Sequence, residues 1–364
     1  MVSSPWNLTS AKSVSAPKIV QALPPRDKAL KLIEKSFDGF HSAYPIFDQA
    51  SFLSKFESLD INRSDTGWWA CLNVVLALTH RFEGSTGSEK HEDLEAWGFF
   101  QNALAVSNQL VTMHSTLASV QALLGMALVL QGTPNQGPVS LLTSSAIKLA
   151  QRMGLHRRCQ DTDLSAAEIE ERKRVFWVAY ALDKDISLQT GQPPTQDDDN
   201  MDVEFPFENC SALNHPGESN NMDFFNFRVR LALIQGQIYS RLCSVKATRQ
   251  TPCERILAAR ELDSMLRAWR ATVPTDFLRD FLGSELELST SGPFRHPIIL
   301  QLTYFNSLAI VYGSLPLVPG NCELNGPDDP LAFQMSTPIT YPDEARQVIK
   351  LLQATPRRNF ACVW

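Results

Sequence analysis

Three groups of side chains in this 364-residue chain have the types and spacing to do chemistry. Asp198, Asp199 and Asp202 stand in the order D-D-x-x-D. Carboxylate oxygens in that pattern suit magnesium and, through the metal, a diphosphate. Against this, the run lies in a loop beyond Pro193-Pro194, and no second Asn/Asp…Ser…Glu set follows it. Acidic runs of this kind usually form solvated faces. His156, Arg157 and Arg158 make a cationic cluster that can hold an anion or pair with a carboxylate. Asp183 on the next helix supplies one, and an Arg157–Asp183 ion pair is expected; a solvated cap beside an unrelated helix charge is the competing reading. Glu171-Arg172-Lys173-Arg174 reads as the wet face of a helix with i,i+4 pairs, ahead of nuclear import and of contact with DNA.

Other chemistries lack support. The seven histidines contain no H-x-x-x-H, and neither G-x-S-x-G nor G-x-x-x-x-G-K-[ST] occurs. The seven cysteines stand at 71, 159, 210, 243, 253, 322 and 362, with no C-x-x-C and no histidine at zinc-ligand spacing. An odd, scattered set argues for reduced thiols. The expectation is a protein that is not an enzyme and holds no cofactor. Trp68-Trp69, Trp97, Phe99-Phe100 and Trp177 either line an effector pocket or are core; aromatics at helical spacing more often are core.

The elements that would position these groups are helices. Ser165 and Glu168 form a capping box for a helix over about 166–188. Val175-Phe176-Trp177-Val178-Ala179-Tyr180-Ala181-Leu182 is apolar on every side, so this helix must be wrapped by others. Gly191 and Pro193-Pro194 stop it. Before it, Leu142, Ala146, Leu149, Ala150 and Met153 mark one stripe of a helix entered at Pro138 and closed at Gly154. Further helices are expected at 26–41, 50–59, 66–81, 91–113 (with Trp97, Phe100, Leu104 and Val111 on one face), 116–131, 222–248, from Pro252 after a Thr251/Glu254 capping box, 297–315 and 342–354. Residues 1–25 are rich in Ser, Ala and Pro and read as disordered. Glu285–Leu288 is the longest candidate strand. The fold class is therefore all-α, a large irregular multi-helix domain spanning 26–364.

Composition sets outer limits. A 44 % apolar, 20 % charged chain of net charge −6 is ordinary for a soluble protein and lacks the basic balance that nucleic acid recruits. The longest uncharged apolar run, Leu117 to Leu130, is too short to span a bilayer. No secretory signal opens the chain. The reading is intracellular and soluble.

At Ala146-Ile147-Lys148-Leu149-Ala150-Gln151-Arg152-Met153-Gly154-Leu155-His156-Arg157 the chain resembles the AxxLAxxxGLHR signature of the fungal-specific transcription factor domain, the middle homology region of binuclear zinc-cluster regulators. Arg174, Phe176, Trp177, Asp183, Gly191 and Pro193 match that domain's RRxFW…LD…GRP signature, with Gln192 replacing the usual arginine. Asp202-Val203-Glu204-Phe205-Pro206 is similar to its DIDVxLP ending. Tyr44-Pro45 with Phe52 resembles its opening, and His296-Pro297 with Leu302, Tyr304 and Leu308 echoes a later helix. The likeness covers about residues 30–320, with the motifs in order.

The resemblance implies a regulatory domain working in the nucleus, with the cytoplasm as a second location, often for a metabolic or biosynthetic gene set. The family's six-cysteine DNA-reading cluster is missing from residues 1–40, as is a coiled-coil segment. Direct DNA binding and membrane contact are therefore not expected. Partners would be a full-length zinc-cluster regulator or other transcription proteins, with a small-molecule effector. An apolar run from Phe360 to Trp364, where the chain stops, suggests a domain cut short. The alternative is an all-helical, magnesium-dependent enzyme like the terpenoid synthases, using Asp198, Asp199 and Asp202.

Overall fold

A computed structural model of the protein describes residues 19–58, 65–83, 89–113, 115–131, 137–159, 163–206, 219–274 and 295–315, with Arg346 and Ile349. Among these residues every regular element is a helix and none is a strand, in agreement with the all-α reading. No described helix is long and apolar enough to cross a membrane. The chain divides into two compact units. One comprises Met1–Tyr180, Thr195–Met222 and Ser291–Pro293; the other comprises Ala181–Pro194, Asp223–Thr290 and Phe294–Trp364.

The first unit opens with α1 (Arg26–Asp38), α2 (Gln49–Ser58), α3 (Thr66–Glu83), α4 (Glu89–Leu104) and α5 (Ser107–Thr112). It continues with α6 (Leu117–Leu130), α7 (Gly137–Arg152) and the start of α8 (Ala166–Thr190). α3 packs on α1, α4 and α6, and α6 packs on α7. Every residue of α6 from Ser119 to Val129 is buried, which explains a run with no polar stripe. Close approach of α3 and α6 depends on Gly125, where a Cβ would lie 2.1 Å from Cγ1 of Val74.

The expected helix over 91–113 is two helices. The chain bends at Ala105–Val106, and the bend lets Val106 and Leu110 turn inward. The buried stripe is Ala96, Phe99, Phe100 and Ala103, whereas Trp97, Leu104 and Val111 are exposed. The face assigned from sequence was thus centred one step too far round. Residues 19–25 form no helix, yet the backbone N–H groups of Val20 and Gln21 donate to Asn102 Oδ1 at 2.9 and 3.3 Å. Those two residues of the expected 1–25 segment are therefore anchored; residues before 19 lie outside the described ones.

α8 begins at the expected capping box: Ser165 N–H donates to Glu168 Oε2 at 2.9 Å, and Glu168 N–H to Ser165 Oγ at 3.3 Å. All eight residues from Val175 to Leu182 are buried. The helix ends at Gly191, whose φ of 69° is the left-handed conformation that favours glycine.

The second unit takes the last turns of α8 with α9 (Ser219–Ile238, from Asp223), α10 (Val245–Thr248), α11 (Pro252–Thr272) and α12 (Arg295–Gly313). Its core includes Leu231, Ile238, Leu262, Leu266, Trp269, Tyr304 and Leu308. The single helix expected over 222–248 is interrupted by a π-turn at Tyr239–Cys243. Ser244 then adopts an extended conformation and its side chain caps α10, so a competing cap overrides the apolar period. α11 starts at the expected Thr251/Glu254 capping box. The break at Gly84–Ser88, the candidate strand at 285–288, the 342–354 helix and the 360–364 run lie outside the described residues, the isolated Arg346 and Ile349 apart.

Candidate functional site

The signature loop after α7 is built by a helix ending that glycine makes possible. Gly154 has φ 73°. Its N–H donates to Gln151 O at 3.0 Å, and Leu155 N–H to Ala150 O at 2.9 Å, the bond pair of a Schellman motif. Leu155 is buried, which anchors the exit of the chain, and Arg157 N–H closes back on Gly154 O at 3.0 Å.

A strap over residues 201–206 locks this turn. Asp202 N–H donates to His156 O at 3.1 Å, and Arg158 N–H donates to the Asp202 carboxylate at 3.0 Å. The strap then follows α8. Trp177 Nε1–H donates to Glu204 O at 2.9 Å, and the Trp177 indole stacks on Phe205 with centroids 5.1 Å apart. Lys173 Nζ lies 2.8 Å from the Glu204 carboxylate and Arg158 Nε 3.4 Å from it. The Lys173 hydrogen bond holds the Glu204 carboxyl below its usual range. Upstream, Thr195 bonds Ser144 at 2.7 Å, and Gln151 Nε2–H donates to Gln196 Oε1 at 2.8 Å. Residues 195–206 therefore join α7 to α8, bonding both helices and the loop between them.

A second knot ties the opening motif to α8. Glu171 Oε1 accepts from Asp48 N–H at 3.1 Å and from Gln121 Nε2–H at 2.9 Å, while Gln121 also donates to Ile46 O at 2.6 Å. Arg174 lies 3.8 Å from Asp48. Burial pushes the Glu171 carboxyl up. At Asp48 burial acts in the same sense, but the Ser51 hydrogen bonds and the Arg174 charge outweigh it, and that carboxyl is lowered. Buried His41, whose Nε2 lies 2.5 Å from Phe47 O, is lowered from 6.5 to about 3, mainly by desolvation.

Where α7's end, the first turns of α8 and the strap meet, a half-open cleft of about 470 Å³ is lined by both apolar and charged groups. Leu155, Ile169 and Val203 supply apolar surface; Arg157, Arg158, Arg172 and Lys173 bring four cations, and Asp202 one anion. Glu204 pairs with both Lys173 and Arg158. Among the described residues, neither Arg157 nor Arg172 lies within ion-pair distance of a carboxylate. Burial and the Arg157 charge lower the pKa of His156, which favours its neutral form. The exposed thiol of Cys159 stands in the same lining.

The residues singled out from sequence are distributed as follows. Gly154, Leu155, His156, Arg157, Arg174, Phe176 and Trp177 fall in the first unit; Asp183, Gly191 and Pro193 fall in the second. Phe176, Trp177 and Asp183 are buried, whereas Arg157, Gly191 and Pro193 are exposed. Of the two residues expected to pair, Arg157 is exposed in the first unit and Asp183 is buried in the second. Also in the second unit, buried Asp185 pairs with Arg228 at 2.9 Å.

The D-D-x-x-D aspartates are placed apart. Asp198 accepts the Tyr180 hydroxyl at 2.9 Å, Asp202 accepts Arg158 N–H at 3.0 Å, and Asp199 is exposed on a 3₁₀ turn capped by Asp197. The Asp198 and Asp202 carboxylates hold the loop to two different neighbours. Among the described residues no three His, Cys, Asp or Glu side chains are grouped to hold a metal ion. The sequence reading missed Gln121 and Asp48, whose pairing is long-range, and the joint role of Ile169, Arg172 and Lys173. The i, i+3, i+4 spacing of those three was the available signal.

The site is thus an all-helical unit whose strap is knit to two helices and the loop between them by hydrogen bonds and ion pairs. The comparisons give the family. The profile of the fungal specific transcription factor domain matches residues 35–271, and the chain belongs to that family. It is 35 % identical, over 99 % of its length and 42 % of the relative's, to the ABC-transporter-regulating transcription factor of Aspergillus fumigatus. It is 31 % identical, over 85 % of its length and 58 % of the relative's, to the Fusaridione A cluster transcription factor fsdR of Fusarium heterosporum. The chain thus spans about half the length of these curated relatives. No solved structure matches it. Both named relatives are transcription factors.

Proposed function

We propose that this chain is the regulatory part of a transcription regulator that acts in the nucleus on a metabolic, biosynthetic or transport gene set. It does so through an effector and through contacts with other transcription proteins, a full-length zinc-cluster regulator among them, and not through its own contact with DNA. The observation that carries the reading is the interlock of the signature segments. The 154–158 turn, the 171–177 stretch of α8 and the 202–205 strap bond one another through backbone groups and one shared glutamate. Such a unit has two helices and a strap that an effector can tighten or loosen together. The names of the relatives, one a regulator of ABC transporters and one of a biosynthetic cluster, support the choice of gene set.

The test is a fusion of residues 1–364 to an unrelated DNA-binding module upstream of a reporter. Transcription should change by about fivefold or more relative to the module alone, a typical size for coupling between sites. A folded fusion that leaves the reporter at the level of the bare module would overturn the proposal.

A further inference from the structure

We propose that the cleft between the α7 end, the first turns of α8 and the strap binds a small molecule carrying a carboxylate or phosphate on a compact apolar body. The inference rests on the regulatory reading above and names the ligand class of that effector. Its volume of about 470 Å³ falls among small-molecule sites, which run about 300–1,000 Å³. The charge is local: the chain as a whole carries −6, yet four cations line this space.

Their pairing separates two roles. Lys173 and Arg158 are held by Glu204 and fix the strap. Arg157 and Arg172 line the same cavity with no carboxylate within ion-pair distance among the described residues. Two guanidinium forks in one concavity, neither in an ion pair among the described residues although Glu168 acts on Arg172 at longer range, offer bidentate, charge-assisted bonds to a planar carboxylate or a phosphate. Leu155, Ile169 and Val203 in the lining ask for an apolar body behind that head group. Asp202 is the opposing charge in the lining, but its carboxylate is already engaged by Arg158 N–H at 3.0 Å.

Cys159 provides a built-in reporter, because its exposed thiol stands in the cleft lining while exposed Cys253 lies outside it. The purified 364-residue chain is alkylated with iodoacetamide, and modification of each cysteine is followed by peptide mass spectrometry. 2-Naphthoate should slow alkylation of Cys159 saturably and leave Cys253 unchanged. The neutral isostere 2-naphthamide, inorganic phosphate and the Arg157→Ala/Arg172→Ala variant with 2-naphthoate should each show protection weakened by about tenfold or more, the loss expected for charged hydrogen bonds or the apolar body.

No saturable protection of Cys159 by 2-naphthoate overturns the proposal. Equal protection by the amide removes the anion requirement, and equal protection by phosphate removes the apolar body; either refutes the ligand class. Protection by an acidic peptide and not by naphthoate refutes it in favour of a protein contact. Arg157→Ala alone, at an exposed residue with no ion pair among the described residues, covers the case in which the double variant fails to fold. Protection with a silent reporter fusion would sink the regulatory reading and leave the ligand site. An active fusion without protection would do the reverse.

Discussion

Replacing Trp177 should separate the first unit's core from its strap. The indole is 2 % exposed, donates to Glu204 O at 2.9 Å, stacks on Phe205 at 5.1 Å and meets Tyr180 edge-on at 5.2 Å. Trp177→Ala removes the ring and leaves a cavity, at a cost of about 3–5 kcal/mol. At roughly 2 °C per kcal/mol for a chain this large, Tm should fall by about 6–10 °C. Trp177→Phe keeps most of the packing and deletes the N–H, leaving the Glu204 carbonyl without that donor, which costs about 1–3 kcal/mol. Hydrogen exchange distinguishes the two effects. Trp177→Phe should speed exchange at Asp202, whose N–H is held to His156 by the same strap, and leave the α11 amides of the second unit unchanged. Trp177→Ala should also loosen α8 around Val175–Leu182. A Trp177→Ala protein melting within about 2 °C of the parent, below the smallest cavity cost, would refute the reasoning that this ring is the core of the unit.

Three further outcomes follow from the same coordinates. Gly125→Ala puts a methyl 2.1 Å from Val74 Cγ1, so α3 and α6 must separate; a loss of about 1–3 kcal/mol or more is expected by urea denaturation, with partial rescue by Val74→Ala. Gly154→Ala meets no steric neighbour but must hold φ near 73°, so it should cost about 1–2 kcal/mol, and Asn at that position less. His41, lowered from 6.5 to about 3, leaves the folded state binding fewer protons than the unfolded one between those values. Stability is then complete above pH 6.5 and falls on acidification, by about 2 kcal/mol at pH 5. A His41→Phe variant should show a flatter urea midpoint between pH 6.5 and 5, and an unchanged acid limb would count against this.

What could be seen in the sequence follows the range of the forces involved. Helix starts at Ser165 and Thr251 and the stop at Gly154 depend on bonds between near neighbours, and the structure forms all three as expected. The apolar run of α8 likewise dictates burial whatever surrounds it. The misreadings arise where local period competes with something distant. Trp97 and Leu104 keep helical spacing, yet Asn102 faces inward to bond Asn73 and Gln21, which rotates α4 and leaves them outside; Val111 falls beyond the bend, on α5. Ser244 continued the apolar pattern only by position; its hydroxyl took the cap of α10. The cleft was half visible: Arg157 and Arg158 were picked out as anion ligands. Arg172 and Lys173 were read as a wet face, because their approach to the 154–158 turn depends on a strap some thirty residues later.

The signature residues therefore fall into two kinds with different consequences for function. Gly154, Phe176 and Trp177 are fixed by backbone conformation or burial, and Arg174 by its contact with Asp48. A change at any of them lowers stability first, and loss of regulation in such variants reports unfolding. Arg157, exposed and without an ion pair among the described residues, contributes little to holding the fold, since even paired surface charges are worth about 0–1 kcal/mol. Arg172 on α8 is half-buried and likewise without an ion pair among the described residues, with Glu168 acting on it at longer range. On the proposed reading, these two guanidiniums are where a change would silence the response while the melting temperature stays put. That separation is what an effector site on a rigid scaffold requires.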